Sequence, residues 1–192
     1  MSLIMALKFV DGIIVCSDTL YSGGDGDAEC LSSPENAKIW RPEKREDVIV
    51  GGCGLVRTVQ VMQHCVDVPK DLSVKNIVTE MVPNMMAAFI DNKCLAGNEP
   101  NESTESYFLI AQPDSIYIIQ PYFEVFKKSE FAAIGACSTE AEIALSILLR
   151  GMNCWTLTES EAKQYLAEAY LICKDHCNLI GGKLHYAVLT RK

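Results

Sequence analysis

Segments with strand character and segments with helix character occur in separate groups along this chain, and this grouping restricts the folds it can adopt. Apolar runs rich in β-branched residues cover residues 2–9 and 13–17, and shorter runs cover 37–40 and 47–52. Helical, strand-like, helical and strand-like segments follow in that order. Like elements grouped in this way indicate an α+β layered fold rather than alternating strands and helices. A chain of 192 residues has the length of one domain, which we expect to span residues 1–192.

The first two apolar runs flank an Asp-Gly pair, so they predict a β-hairpin. Gly, Asp, Ser and Pro then dominate residues 22–36, which we expect to form an exposed loop. Apolar residues recur at steps of three and four over residues 74–89, as in an amphipathic helix, and Pro83 predicts a kink there. Residues 55–66 are expected to form the helix that pairs with it.

The second half of the chain supplies further strands and two helices with start signals. The predicted strands are 106–112, 115–120, 131–134 and 183–190. Thr139 with Glu142, and Thr158 with Glu161, match the S/T-x-x-E capping box, in which two side chains satisfy free backbone N–H groups at the start of a helix. We therefore expect helices to begin at these two threonines.

The charge distribution and the apolar runs exclude several classes of partner. The formal net charge is -8 and Lys and Arg form no cluster, so we do not expect the protein to bind nucleic acid. The longest apolar runs are far shorter than the roughly 18 residues that cross a bilayer, so no membrane segment is expected. The N-terminus does not match the pattern of a secretory signal, and we expect the protein in the cytoplasm.

Nine cysteines are spread over apolar segments. An odd number does not fit a secreted disulfide framework, so we expect free thiols. Cys173, His176 and Cys177 lie close enough in sequence to bind a metal, but packing of a helix explains them better. We therefore expect neither a metal nor a cofactor.

The opening of the chain has an arrangement found in one family of hydrolases. A strand begins at Ser2, turns at an Asp-Gly pair and returns to Asp18, sixteen positions after Ser2. Further matching segments follow in the family's order: Lys38 within residues 37–40, residues 51–54, residues 133–138 and residues 181–190. In these features the chain resembles the proteasome β-subunit and HslV-like family of N-terminal-nucleophile (Ntn) hydrolases.

The resemblance implies a four-layer αββα sandwich of the Ntn type, assembly into a ring-type homo-oligomer, and hydrolysis of peptide bonds. It implies that Ser2 is the nucleophile and that its own α-amino group is the general base, which requires removal of Met1. Lys38 would stabilise the developing alkoxide, and Asp18 would orient and neutralise Lys38. The Gly54 N–H would donate to the oxyanion.

Two supporting positions depart from the family pattern. The family has a serine directly after the glycine that corresponds to Gly135, where this chain has Ala136 and then Ser138. It also has an Asp-x-x-Ser pair where this chain offers Asp175 and Asn178. Ser138 and Asp175 are therefore the residues expected to support the amine.

Three functions stay open on the sequence. The set of Ser2, Asp18 and Lys38 favours a threonine/serine-type peptidase. For such a peptidase the resemblance implies peptides or unfolded proteins as substrates, and an ATP-dependent unfoldase is a possible partner. Ala136 and Asn178 favour a non-catalytic structural or assembly subunit, in which Asp18 and Lys38 form an ordinary ion pair. An amidase or ligase that acts on a small amide is the third, since a fold does not determine a substrate. Apolar helix surface also favours a homo-oligomer.

Overall fold

The computed structural model describes residues 2–22, 28–30, 37–95 and 103–191. Its strands are β1 (Leu3–Phe9), β2 (Gly12–Asp18), β3 (Leu20–Ser22), β4 (Ala28–Cys30), β5 (Ile39–Trp40), β6 (Ile49–Cys53), β7 (Tyr107–Gln112), β8 (Ser115–Ile119), β9 (Val125–Lys128), β10 (Phe131–Gly135) and β11 (Leu184–Thr190). Its helices are α1 (Val56–Cys65), α2 (Val74–Asn76), α3 (Val82–Asp91), α4 (Ser138–Leu148) and α5 (Glu159–His176), with a π-helical turn at Ile77–Met81 and a 3₁₀ turn at Cys154–Thr156.

Two antiparallel sheets form the middle of the molecule. One has the strand order β10-β1-β2-β11, and the other has the order β5-β6-β7-β8-β9. Strands β3 and β4 form a separate two-stranded ribbon. Helices α4 and α5 cover one face of β1 and β2, and the second sheet covers the other, which explains why the sequences of these strands are apolar almost throughout.

Three apolar cores separate four layers. Alternate side chains of β1 point to opposite faces of the sheet, as the pleat requires. Leu3, Met5 and Leu7 pack in a core with α4 and α5, whereas Ile4 and Ala6 pack against the second sheet. The other face of the second sheet packs in a third core against α1 and α3. The layers are therefore helix, sheet, sheet and helix, so the predicted α+β class and αββα sandwich are confirmed.

Most predicted elements are present, with small shifts at their ends. The hairpin of β1 and β2 and the helix at α1 are confirmed. Strand β9 was not predicted, and the expectation of a loop over residues 22–36 is wrong at β4, which is a strand. Residues 23–27 and 31–36 of that segment lie outside the described residues.

Helix starts follow the capping rules at one site and depart from them at another. The capping box of Thr158 and Glu161 is present at the start of α5. The start predicted at Thr139 is wrong, because Cys137 in the left-handed conformation precedes α4 and no side chain caps that helix. Glu142 instead pairs with Lys128. At Pro83, where the sequence predicts a kink, a π-helical turn directly precedes α3.

Of the helices within the described residues, none is both long enough and apolar enough to cross a membrane.

Candidate active site

A buried ion pair links the end of β2 to the residue before β5. The Lys38 Nζ lies 2.7 Å from the Asp18 Oδ1, and the two side chains are 3% and 0% exposed. Removing two charges from water is costly unless additional hydrogen bonds satisfy them. The surroundings of this pair therefore decide whether it is held firmly.

The Asp18 carboxylate receives backbone N–H groups from two other parts of the chain. The Leu3 N–H donates to Oδ1 over 2.9 Å, and the Gly181 N–H donates to Oδ2 over 3.2 Å. The Lys38 ammonium donates in addition to the backbone carbonyl of Leu20. Asp18 thus connects the start of β1, the segment before β11 and Lys38 through one carboxylate.

Both hydrogen-bonding groups of the peptide between Ser2 and Leu3 are bound. The Ser2 side of β1 pairs with β10, where Leu3 lies opposite Gly135, and the Ser2 carbonyl accepts a hydrogen bond of 2.8 Å from the Ala136 N–H. The following N–H, that of Leu3, is bound to Asp18. The Lys38 ammonium donates to the same Asp18 oxygen as that N–H. A single carboxylate oxygen therefore bridges Lys38 and the peptide between Ser2 and Leu3. Ser2 itself is 9% exposed, and Met1 lies outside the described residues.

The close approach at Ser2 requires glycine at position 135. Gly135 has a φ of +95°, which side chains other than glycine rarely adopt. A Cβ at this position would lie 2.0 Å from the Ser2 carbonyl oxygen. Gly135 therefore allows β10 to hold the start of β1.

Gly54 lies in the turn between β6 and α1. Its φ is +124°, and a Cβ there would lie 2.5 Å from the Glu105 carbonyl oxygen and from the Ser106 Oγ. Gly54 is exposed, and no group among the described residues accepts a hydrogen bond from its N–H. This N–H is consequently able to bind an external acceptor.

Cys53 is a component of this region that the sequence analysis did not assign to the site. Its Sγ lies 3.1 Å from the point that a Cβ on Gly135 would occupy, so it packs against the Ser2 end of β10. Burial raises the pKa of the Cys53 thiol to about 12, although the hydrogen bond to the Tyr107 carbonyl and the charge of Lys38 oppose the shift. Cys53 therefore stays a thiol near neutral pH. Its position directly before Gly54 is the signal that could have identified it.

The side chains of Ser138 and Asp175, the two residues expected to support the amine, form no hydrogen bond with Ser2. Ser138 is the first residue of α4, and Asp175 is exposed near the end of α5. Neither side chain forms a hydrogen bond with another residue in the described part of the chain. Backbone groups of Ala136 and Gly181 occupy the contacts to Ser2 and Asp18 instead.

A disulfide joins Cys137 to Cys177 across 40 positions of sequence. The expectation of free thiols is wrong for these two residues, and the suggested grouping of Cys177 with Cys173 is replaced by this bond. Six other cysteines with described side chains are free. Within the described residues, no group of three or more metal-binding side chains is present.

Comparison with known proteins gives matches in structure only. No model of a known protein family matches the chain, and no curated protein matches it. The chain is similar to BPH from Thiobacillus denitrificans, with 21% identity and a TM-score of 0.76 over 98% of this chain and 97% of that one. A structure of the same protein in complex with epoxomicin gives 22% identity and a TM-score of 0.76, with 98% of each chain covered.

Two further structures have the same layered arrangement. Eukaryotic HslV from Trypanosoma brucei is 16% identical with a TM-score of 0.65, and the match covers 98% of this chain and 99% of that one. The Anbu complex from Pseudomonas aeruginosa is 15% identical with a TM-score of 0.68, and the match covers 98% of this chain and 81% of that one. At these identities the likeness shows the fold, which is that of the proteasome-like Ntn hydrolases. The resemblance seen in the sequence is confirmed at that level.

Proposed function

Starting from the fold of the proteasome-like Ntn hydrolases, we propose that the protein is a threonine/serine-type peptidase whose nucleophile is the hydroxyl of Ser2. One observation carries the proposal: a lysine that is 3% exposed is held by Asp18, and the same Asp18 oxygen binds the peptide that follows Ser2. This shared oxygen ties the position of the ammonium to the residue that carries the proposed nucleophile.

In the proposed reaction the free α-amino group of Ser2 takes the proton from Oγ as the oxygen attacks the substrate carbonyl carbon. The carbonyl π electrons move to the oxygen, and this oxyanion accepts a hydrogen bond from the Gly54 N–H. The intermediate collapses, the C–N bond breaks, and the leaving amine takes the proton from the α-ammonium group. Water then attacks the Ser2 ester with the same amine as its base, which releases the acid product and restores Ser2.

Lys38 and Asp18 have separate roles in this reaction. The positive charge of Lys38 stabilises the oxygen of Ser2 while it becomes negative, and it disfavours the protonated α-amino group. Asp18 keeps the ammonium in a fixed direction and compensates for its burial, since a buried ammonium without a partner is costly. Removing either residue should therefore reduce the rate more than it changes the architecture.

We also propose that the protein acts as a homo-oligomer in the cytoplasm on peptides or unfolded proteins, with an ATP-dependent unfoldase as a further partner. Apolar side chains on the two outer helix layers support association, because Ile90 on α3 and Ile147 on α4 are 59% and 67% exposed. The similar Anbu complex is described as a helical assembly. Sedimentation that detects only a 21.2 kDa monomer at micromolar concentration would contradict the oligomer.

Epoxomicin provides a direct test of the nucleophile, because a protein of the same fold is known in complex with it. We expect intact mass spectrometry to show one molecule added to protein that begins at Ser2. Protein that retains Met1 should gain no mass, since its Ser2 nitrogen is a peptide amide without a basic lone pair. The matched control is Ser2→Ala prepared without Met1, which should also remain unmodified.

Peptide hydrolysis gives the second measurement. Protein that begins at Ser2 should cleave members of a broad peptide panel, and Ser2→Thr should preserve or raise the rate because the added methyl group restricts the rotamers of the attacking oxygen. If the protein that begins at Ser2 is no faster than Ser2→Ala on every peptide and is not modified by epoxomicin, the peptidase proposal is wrong.

A structural or assembly subunit is the second candidate function. The observation in its favour is that the side chains of Ser138 and Asp175, which were expected to support the amine, form no hydrogen bond with a described residue. This candidate predicts an oligomer of normal stability whose Ser2→Ala variant assembles in the same way as the unmodified protein and reacts no differently.

A further inference from the structure

We propose that the Cys137–Cys177 disulfide is a redox-controlled clamp on the candidate active site. In the oxidised form it holds the two backbone segments that bind Ser2 and Asp18, and in the reduced form it lets them separate. The effect on catalysis rests on the proposed function of Ser2, whereas the effect on the backbone does not.

The first segment held by the disulfide is the turn from β10 into α4. Cys137 directly follows Ala136, whose N–H donates to the Ser2 carbonyl over 2.8 Å. Cys137 itself has a φ of 60°, and no side chain caps α4 at this point. The turn is joined to neighbouring segments by the contact of Ala136 to Ser2, by the hydrogen bond from the Cys173 thiol to the Cys137 carbonyl and by the bond to Cys177. Only the last of these is covalent.

The second segment held by the disulfide leads from α5 to β11. Cys177 follows the last residue of α5, and four residues later the Gly181 N–H donates to the Asp18 Oδ2 over 3.2 Å. The Asp18 Oδ1 binds the Leu3 N–H in turn. The disulfide thus closes a ring of contacts that runs from Ser2 through both cysteines to Asp18 and back to the first strand.

The disulfide is accessible to a dissolved reductant, and the neighbouring thiol of Cys173 is poorly suited to attack it. Cys137 and Cys177 are both partly exposed, and His176 beside Cys177 is exposed, so a dissolved reductant can reach the bond. The buried Cys173 lies one helical turn before Cys177, and its thiol donates to the Cys137 carbonyl over 3.9 Å. Burial, followed by the charge of Glu140, raises the pKa of Cys173. Both effects disfavour the thiolate of Cys173, which is the form that attacks a disulfide.

The switch itself is thiol–disulfide exchange with a dithiol reductant. A thiolate of the reductant attacks one sulfur, the S–S bond breaks, and the displaced cysteine takes up a proton. The second thiol of the reductant then releases the other cysteine, so the protein gains two electrons and two protons while the reductant becomes a disulfide. A small disulfide oxidant reverses the reaction. In a reducing compartment the loosened form predominates, and oxidation tightens the site.

The test compares the oxidised protein with the same protein reduced by dithiothreitol, both beginning at Ser2. Hydrogen exchange at the Leu3 and Gly181 amides should be faster after reduction, because these two N–H groups hold Asp18. Modification by epoxomicin should slow on the order of tenfold to a hundredfold, since small displacements of a nucleophile have effects of this size. Exchange in the α3 helix, which packs on the opposite face of the second sheet, should not change.

Two variants complete the experiment. Cys137→Ser/Cys177→Ser should behave like the reduced protein and should not respond to dithiothreitol. Cys65→Ser, which removes an exposed free cysteine, should respond as the unaltered protein does. Equal exchange of Leu3 and Gly181 in the oxidised and reduced proteins overturns the clamp. Faster exchange on reduction, together with no epoxomicin modification of either form, supports the clamp and contradicts the peptidase proposal instead.

Discussion

Two of the lysines that the structure describes are buried, one near each end of β1, and their surroundings differ. Lys38 and Lys8 are 4% and 5% exposed. The Lys38 ammonium is bound to a carboxylate over 2.7 Å, whereas the Lys8 ammonium lies 5.1 Å from the centre of the Trp155 ring. No ion pair of Lys8 is present within the described residues. Burial alone therefore does not distinguish a candidate catalytic lysine, and the bound carboxylate does.

The charges of the two ammonium groups are compensated by different groups. Burial lowers the pKa of Lys8, and the positive charge of Lys127 adds to that effect. The ring face of Trp155 compensates only in part, because a cation–π contact contributes about 0.5–2 kcal/mol. For Lys38 the carboxylate supplies the compensation, and removing one partner of such a pair leaves the other buried and charged.

The largest expected effect is that of Lys38→Met, which should remove activity and lower the free energy of unfolding by about 3–5 kcal/mol. Asp18 would retain its two backbone N–H donors, but it would lose the opposite charge. The matched variant Lys8→Met should change the stability by about 1 kcal/mol or less, since it exchanges a cation–π contact for an apolar side chain of similar length. Urea unfolding and peptide cleavage measure both quantities.

Lys38→Arg sharpens the same comparison. The guanidinium keeps the charge but is larger and planar, so it cannot take the place of a compact ammonium beside Asp18 and a hydroxyl. We expect activity to be lost here too, with a smaller loss of stability than in Lys38→Met. Full turnover in Lys38→Arg or Lys38→Met would show that Lys38 belongs to a structural ion pair.

Reduction of the Cys137–Cys177 bond should have the next largest effect, because it lies at the Lys38 end of the sheet. A cross-link that closes 40 positions restricts the unfolded chain, and its loss typically costs about 2–4 kcal/mol. Urea unfolding with and without dithiothreitol measures this difference. It should be absent in Cys137→Ser/Cys177→Ser, and a difference that persists in that variant would place its origin elsewhere.

The elements found from the sequence are those whose pattern is local. Strands β1 and β2 are covered on both faces, so their continuous apolar runs were sufficient to predict them. Strand β9 ends in two lysines and lies at the edge of its sheet, where apolar residues are not needed, and its sequence gave no signal. The start of α4 was missed because Cys137 adopts a left-handed conformation that a capping pattern does not encode.

The candidate site was predictable in its side chains and not in its backbone contacts. Asp18 and Lys38 were identified through a resemblance in order and spacing, and the ion pair between them is present. The contacts of the Ala136 and Gly181 N–H groups were not identified, because every residue type except proline supplies a backbone N–H. The Cys137–Cys177 bond was also missed, since no sequence pattern pairs two cysteines 40 positions apart.

Gly135→Ala tests how closely β10 holds the Ser2 end of β1. Its effect on the free energy of unfolding should lie between those of the preceding variants and that of Lys8→Met. A Cβ would lie 2.0 Å from the Ser2 carbonyl oxygen, and the φ of +95° disfavours alanine. We expect a loss of about 1–3 kcal/mol in the free energy of unfolding, together with slower modification of Ser2. Gly151→Ala is the control for backbone strain, because its φ is also positive but no atom lies within 4 Å of the added Cβ. Equal losses of stability and equal modification rates in the two variants would show that contact with Ser2 contributes nothing.

The smallest effect concerns the pH dependence that Lys8 alone should produce. Its pKa is lowered in the folded protein, so between that pKa and the ordinary value for lysine the unfolded chain binds more protons than the folded one. Stability attributable to Lys8 therefore rises with pH across this interval, and the cost of burying its charge is fully present at lower pH.

The comparison of wild type with Lys8→Met isolates this contribution, because other groups that titrate at alkaline pH are common to both proteins. The stability of Lys8→Met relative to wild type should be greatest near neutral pH and should fall as the pH rises toward the ordinary pKa of lysine. Urea unfolding at a series of alkaline pH values measures it. A constant difference between the two proteins would mean that the Lys8 ammonium is solvated in the folded state, and the contrast with Lys38 would then lie in the carboxylate alone.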